Sequence, residues 1–111
     1  MNEKVSIITP CYNGAKYIGE TIESVQAQDY TDWEMLIVND GSSDDSEKIV
    51  SSYAAKDPRI TLINQKNGGS ANARNNGIRH ATGRYIALLD ADDLWNPDFL
   101  SSQIAFLKEK K

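Results

Sequence analysis

The chain has one cysteine, one histidine and three prolines, and its Lys and Arg are outnumbered by its Asp and Glu, 12 to 16. No apolar run approaches the ~20 residues of a membrane span. A lone Cys11 cannot close an internal disulfide. The polar start Met1-Asn2-Glu3-Lys4 runs straight into a strand-like segment with no leader pattern, and no Asn-x-Ser/Thr acceptor occurs. A reducing cytoplasm is the expected compartment. The net charge of −4 argues against a nucleic-acid binder and against a polybasic membrane anchor. The only cationic cluster is Lys108, Lys110 and Lys111 at the end of the chain. Repeats, low-complexity tracts and Pro/Gly-rich linkers are absent. So are Gly-x-Gly-x-x-Gly, the P-loop and Gly-x-Ser-x-Gly, which argues against a dinucleotide dehydrogenase, a P-loop NTPase and a serine hydrolase.

What is present is the composition of one ordered domain, 1–111. Of the 111 residues 40% are hydrophobic and 25% charged, and this length buries a small but sufficient core. Apolar runs alternate with helical periods. Val5 to Thr9 reads as a buried strand, and Ala15 to Gln28 as a helix with Ile18, Ile22 and Val25 on one face and Asn13 or Gly14 as its cap. Trp33 to Val38 is a second strand. A helix follows from Ser43 or Asp44, where Asp44 and Glu47 suggest a capping box, and Asp57-Pro58 ends it. Arg59 to Ile63 is a third strand and Ala71 to Ala81 a third helix, with Gly83 as its expected C′ residue. Arg84 to Leu89 is a fourth strand, apolar on both faces. Asn96-Pro97 caps a last helix, Asp98 to Lys110.

The order βαβαβαβα with doubly apolar strands predicts a parallel sheet covered by helices on both faces. Such sheets bind ligands beyond the carboxyl ends of their strands. That rule selects four loops: Pro10 to Gly14, Asn39 to Ser43, Asn64 to Ser70 and Asp90 to Asn96.

In the last loop, Asp90-Ala91-Asp92-Asp93 closes an apolar strand. In an extended chain Asp90 and Asp92 project to the same side. Paired carboxylates repel unless a cation lies between them, and hard oxygens shared with phosphate suit Mg²⁺ or Mn²⁺. The alternative is a solvated acidic turn in which Asp93 or Asn96 caps the next helix. Asp40 ends a buried strand, where it either accepts hydrogen bonds from a base or sugar or serves a turn. Ser43, Asp44 and Asp45 read as turn and cap. Pro10 and Tyr12 offer a rigid strand end and a ring for stacking, or simply a turn into the helix. Cys11 reads as a small buried residue, with no neighbouring Cys or His to activate it. Gly68 and Gly69 precede a helix N-terminus that could admit an anion. Small residues on that helix allow it to approach the sheet, and Arg74 brings a cation one turn in. His80 sits near a helix C-terminus, where it compensates the dipole.

Taken together and in this order, Val5-Ser6-Ile7-Ile8-Thr9-Pro10-Cys11-Tyr12-Asn13, Ile37-Val38-Asn39-Asp40-Gly41-Ser42-Ser43-Asp44, the Asn67 to Gly77 run, and Ala81-Thr82-Gly83-Arg84-Tyr85-Ile86 with Leu89-Asp90-Ala91-Asp92-Asp93 resemble the N-terminal half of family-2 glycosyltransferases. The resemblance implies the GT-A fold, a Rossmann-like α/β nucleotide-binding domain, and a nucleoside-diphosphate sugar as donor, with UDP the expected nucleotide. It implies that Thr9, Pro10 and Tyr12 line the base and that Asp40 bonds the uracil or ribose. Arg74 would lie near the nucleotide, and Asp90-Ala91-Asp92 would form the Asp-x-Asp motif. There Asp90 would approach the ribose or a metal-bound water, and Asp92 would bind Mn²⁺ or Mg²⁺ at the diphosphate. Gly-Ser-Ala-Asn-Ala-Arg-Asn replaces the family's common Gly-Val-Ser-Ala-Ala-Arg-Asn, which leaves Ser70 and Asn72 without assigned roles.

The implied reaction is inverting sugar transfer to a glycan or lipid-linked acceptor, in bacterial cell-surface polysaccharide synthesis. Family members are more than twice as long, so the acceptor half and the general base are expected beyond Lys111. Exposed apolar surface on the last strand and helix is then expected, with self-association as its consequence. The competing readings are a non-catalytic nucleotide-sugar-binding module and a sugar-phosphate nucleotidyltransferase. The second lacks its Gly-rich, basic first loop here.

Overall fold

A computed structural model describes residues 3–109. Met1, Asn2, Lys110 and Lys111 lie outside the described residues, and with them half of the polar start, two lysines of the terminal cationic cluster and the last residue of the expected final helix. The elements are β1 (Val5–Cys11), α1 (Ile18–Gln26), β2 (Trp33–Asp40), α2 (Ser46–Lys56), β3 (Ile60–Gln65), α3 (Ser70–His80), β4 (Tyr85–Leu88) and α4 (Phe99–Glu109). All eight expected elements form, in the expected order.

The sheet order is β3-β2-β1-β4, and every pairing is parallel. The chain winds from β1 through β2 to β3, then crosses back past both to place β4 on the other side of β1. Crossovers of this kind are right-handed, so a reversal of direction sends its helix to the opposite face. Accordingly α1 and α2 share one face and α3 takes the other. Val5, Ile7, Met35, Ile37 and Ile60 pack with Ile18, Ile22, Val25 and Val50 on the first face, and Leu100 and Ile104 of α4 join them.

On the second face α3 lies close to β1 and β2. A Cβ added to Gly77 would fall 2.6 Å from Ile8 Cγ2 and 3.3 Å from Val38 Cγ2. Ala73, one turn earlier, is fully buried. Small residues are what this approach requires, as the sequence suggested.

Several local expectations shift. α1 begins at Ile18, because the Gly14 carbonyl accepts the N–H groups of Tyr17 and Ile18 and makes a turn first. Asn13 caps no helix; it takes a left-handed φ of 51° and ties two loops together. α2 begins at Ser46, and Glu47 accepts from Asn64 Nδ2 at 3.2 Å, so there is no capping box. Gly83 is not a left-handed C′ residue, since α3 ends in extended backbone at Ala81. Glycine is needed there because a Cβ would lie 2.6 Å from the Lys4 carbonyl and 2.7 Å from Ser6 Oγ. Pro97 lies in a turn ahead of α4, where the Asn96 carbonyl accepts the Phe99 N–H at 3.0 Å.

The helical cover is uneven. Ile86 and Leu88 of β4 pair in register with Ser6 and Ile8, on the face that α3 covers. α3 does not reach them, and they are 46% and 55% exposed. A shallow groove of about 210 Å³ runs between β4 and α4. Leu94, Phe106 and Leu107 are also exposed. The exposed apolar surface expected on the last strand and helix is thus present. No helix among the described residues is long and apolar enough to cross a membrane.

Candidate nucleotide-sugar site

The four selected loops lie together at the carboxyl ends of the strands, beside the point where the strand order reverses between β1 and β4. The first two are joined by hydrogen bonds that use almost every short polar side chain available. Asn13 N–H donates to Ser42 Oγ at 2.9 Å, and Asn13 Oδ1 accepts from Ser43 N–H at 2.8 Å. Gly14 N–H donates to Ser46 Oγ at 2.9 Å and Ala15 N–H to Asp44 Oδ2 at 3.1 Å. Asp44 Oδ1 in turn accepts the Ser46 hydroxyl and N–H. The Ser46 hydroxyl, with the backbone N–H groups of Ser46 and Ala15, holds the Asp44 carboxyl below the usual range against an opposing desolvation. Asp44 is therefore a bracket between loops. Burial pushes the Cys11 thiol up, which fits a small packing residue and no nucleophile.

Asp40 organises the third loop. It is 4% exposed. Its Oδ1 accepts Gln65 Nε2 and Gly68 N–H, both at 2.8 Å, and its Oδ2 accepts Gly69 N–H at 3.0 Å. Burial opposes its ionisation, but these three donors outweigh it and lower its pKa. The glycine amides before α3 thus already hold an anion, the Asp40 carboxylate of the same chain. Gly41, at φ 71°, lets Asn67 approach, since a Cβ there would lie 2.8 Å from Asn67 N.

The acidic loop differs from the extended picture. β4 ends at Leu88, and Asp93 N–H donates to the Asp90 carbonyl at 3.1 Å, closing a turn over 90–93. The alternation that would send Asp90 and Asp92 to one side does not apply within a turn. Asp90, Asp92 and Asp93 are exposed, with no side-chain partner among the described residues.

A cavity of about 290 Å³ lies at the reversal point. Pro10, Tyr12 and Tyr17 line one side, and Ala91 and Asp92 the other. Pro10 costs the sheet nothing. The Ile8 carbonyl points toward β4, where it accepts from Leu89, and by alternation Pro10 faces the same side beyond the last β4 pair. Tyr12 is 56% exposed, its ring unburied beside the cavity. The cavity gathers Pro10, Tyr12, Ala91 and Asp92. Thr9, Asp40, Arg74 and Asp90 do not line it. The Thr9 hydroxyl is fully buried without a hydrogen-bond partner. Arg74 is half-buried in α3 and makes no hydrogen bond or ion pair among the described residues. His80 Nδ1 lies 2.8 Å from the Asn76 carbonyl and so donates to it, a structural role at the end of α3.

Among the described residues no three His, Cys, Asp or Glu side chains form a ready-made cation site. Mg²⁺ or Mn²⁺ at a diphosphate needs only one or two carboxylates, with phosphate oxygens and water completing its shell. Two exposed, uncommitted carboxylates, Asp90 and Asp92, fit that requirement.

A model of glycosyl transferase family 2 matches residues 6–111. The chain belongs to glycosyl transferase family 2. A putative teichuronic acid biosynthesis glycosyltransferase, TuaG of Bacillus subtilis, is 44% identical over 107 residues, covering 96% of this chain and 42% of that protein. The crystal structure of S. aureus TarS 1-349 in complex with UDP-GlcNAc superposes with a TM-score of 0.88 at 34% identity, covering 96% of this chain and 31% of that one. The mannosyltransferase PcManGT of Pyrobaculum calidifontis, solved with GDP-Man and Mn²⁺, superposes at 0.87 with 34% identity, over 93% and 32% of the two chains. These neighbours are GT-A glycosyltransferases, and the parallel α/β sheet with its helices is that fold. The chain spans less than half the length of each of these three proteins.

Sequence reasoning missed three residues that shape the site from behind. Thr21, Ser24 and Gln28 were seen only as part of an amphipathic helix, yet all three bond to the 91–100 segment. Thr21 and Ser24, three apart, share one face of α1, and Gln28 follows just past its end at Gln26; that spacing was the only available signal.

Proposed function

We propose that this chain is the donor-binding half of an inverting glycosyltransferase that uses a UDP-sugar with Mn²⁺ or Mg²⁺ to build a cell-surface polysaccharide. The observation that carries this is the cavity at the strand-order reversal, with an exposed aromatic ring on one wall and an uncommitted carboxylate on the other. Tyr12 stacks on the base against the rigid Pro10. Asp40 holds the neighbouring loop in place and offers its remaining acceptor capacity to the base or ribose. Arg74 supplies a cation for the phosphates. Asp90 and Asp92 hold the metal, Asp92 at the diphosphate. A divalent cation bound there would stabilise the negative charge that develops on the leaving diphosphate.

Thr9 contributes from beneath, through the shape of the strand end. The acceptor and the base that deprotonates it are assigned to the length of the relatives that this chain does not span. Asp44, the acid nearest the first loop, is committed to Ser46 and Ala15. The neighbours' ligands, UDP-GlcNAc and GDP-Man, support a nucleotide-sugar donor. The teichuronic relative supports a surface-polysaccharide pathway.

The test is a calorimetric panel of UDP, GDP and CDP on the purified chain with Mn²⁺. UDP is expected to bind most tightly. GDP binding more tightly would overturn the uridine assignment, and silence from every nucleotide would overturn the donor-site reading.

A further inference from the structure

We propose that Thr21 of α1 is a positioning residue for the acidic loop, holding the Ala91 peptide so that Asp90 and Asp92 meet a divalent cation. The inference rests on the donor-site reading above.

Thr21 is fully buried in the middle of a helix, a place where valine would pack equally well. Its hydroxyl lies 2.7 Å from the Ala91 carbonyl and 3.2 Å from the Tyr17 carbonyl. A hydroxyl has one proton to give. A helical threonine ordinarily returns it to the carbonyl four residues back. Here the contact with that carbonyl, Tyr17, is the longer one at 3.2 Å, and the shorter, at 2.7 Å, goes to Ala91. Ala91 is the residue between the two candidate metal ligands, and fixing its peptide restrains both flanking aspartates.

The attachment continues along α1 and just past its end. Ser24 Oγ accepts the Trp95 N–H at 3.3 Å. Gln28, 4% exposed, donates to the Asn96 carbonyl at 2.6 Å and accepts the Leu100 N–H at 3.0 Å. The carboxylates are thus exposed while the backbone that carries them is held. Groups behind metal ligands commonly change metal affinity on the order of 10–100-fold when removed.

Two substitutions separate positioning from packing. Thr21→Val keeps the volume and loses the donor; Thr21→Ser keeps the donor and loses a methyl group. For each variant, Mn²⁺ affinity is read by electron paramagnetic resonance in the presence of UDP, and UDP affinity by calorimetry in EDTA. Amide exchange at Asp93 and Trp95 is read in the ligand-free protein. Thr21→Val is expected to weaken Mn²⁺ by roughly tenfold or more, to leave metal-free UDP binding unchanged and to speed exchange at both amides. Thr21→Ser is expected to stay near wild type in all three. Equal losses in the two variants, or unchanged Mn²⁺ affinity in Thr21→Val, would overturn the proposal. Wild-type protein that binds no UDP with Mn²⁺ overturns the donor-site reading itself. In that case unchanged exchange in Thr21→Val overturns the tether as well, and faster exchange upholds it.

Discussion

Ile8 and Leu88 are register partners on the same face of the sheet, yet one is fully buried and the other 55% exposed. Asp40 and Asp92 make a second such pair. Asp40 ends β2 and Asp92 follows β4, but Asp40 is buried under three hydrogen bonds and Asp92 is exposed with none. On the β1–β2–β3 side the strand-end carboxylate is taken up by the chain's own glycine amides and Gln65. The β4 side keeps a held backbone and leaves its side chains uncommitted. A carboxylate committed to structure shapes a site and keeps only its remaining lone pairs for a ligand, whereas a carboxylate without a partner is wholly available.

The largest effect that would break this contrast is in the core. Ile8→Ala is expected to cost about 2–5 kcal/mol, since the cavity opens beneath α3. Gly77→Val is expected to cost about 1–3 kcal/mol by overpacking the same contact. Urea unfolding checks both.

Asp40→Asn comes next, at about 1.5–3 kcal/mol, because it removes the charge and turns a donor toward one of the two glycine N–H groups. It also carries a pH signature. The folded carboxyl titrates below an unfolded one, so its contribution is complete above about pH 4 and is lost as pH falls through the folded value. Asp57, beside Arg59, and Asp44 shift in the same direction. Unfolding midpoints of wild type are expected to fall on acidification, and Asp40→Asn to flatten that fall.

Tyr12→Ala is expected to leave the fold within ~0.5 kcal/mol and to weaken UDP by about 1–3 kcal/mol, the worth of one base–aromatic stack. Calorimetry on the two proteins checks it. The smallest effect is at Leu88, where Leu88→Ser is expected to change stability by less than ~0.5 kcal/mol, well below what its partner Ile8 controls. A loss comparable to Ile8→Ala would mean that this face is covered after all.

Element order and sheet class were legible because strands buried on both faces and helices with one apolar stripe leave different periodicities. Tyr12, Asp40 and Asp92 were legible because the rule about strand ends points to them. What the sequence could not show was competition for hydrogen bonds. Nothing in Asn39-Asp40-Gly41 says that the Asp40 oxygens will be filled by Gln65, Gly68 and Gly69. Nothing in the α1 period separates Thr21, a donor to a distant carbonyl, from a residue of merely suitable size. Gly83 was legible as necessary, but its reason was a steric contact across the sheet, visible only after folding. The turn at 90–93 was hidden because an apolar run before an acidic cluster looks extended until its end is known.

The proposed role of Asp92 at a metal-bound diphosphate is tested most directly by UDP binding measured with Mn²⁺ and with EDTA, on wild type and on Asp92→Ala. Mn²⁺ is expected to tighten UDP on wild type and to have no such effect on Asp92→Ala, with the two proteins alike in EDTA. Equal Mn²⁺ enhancement in both proteins would contradict it.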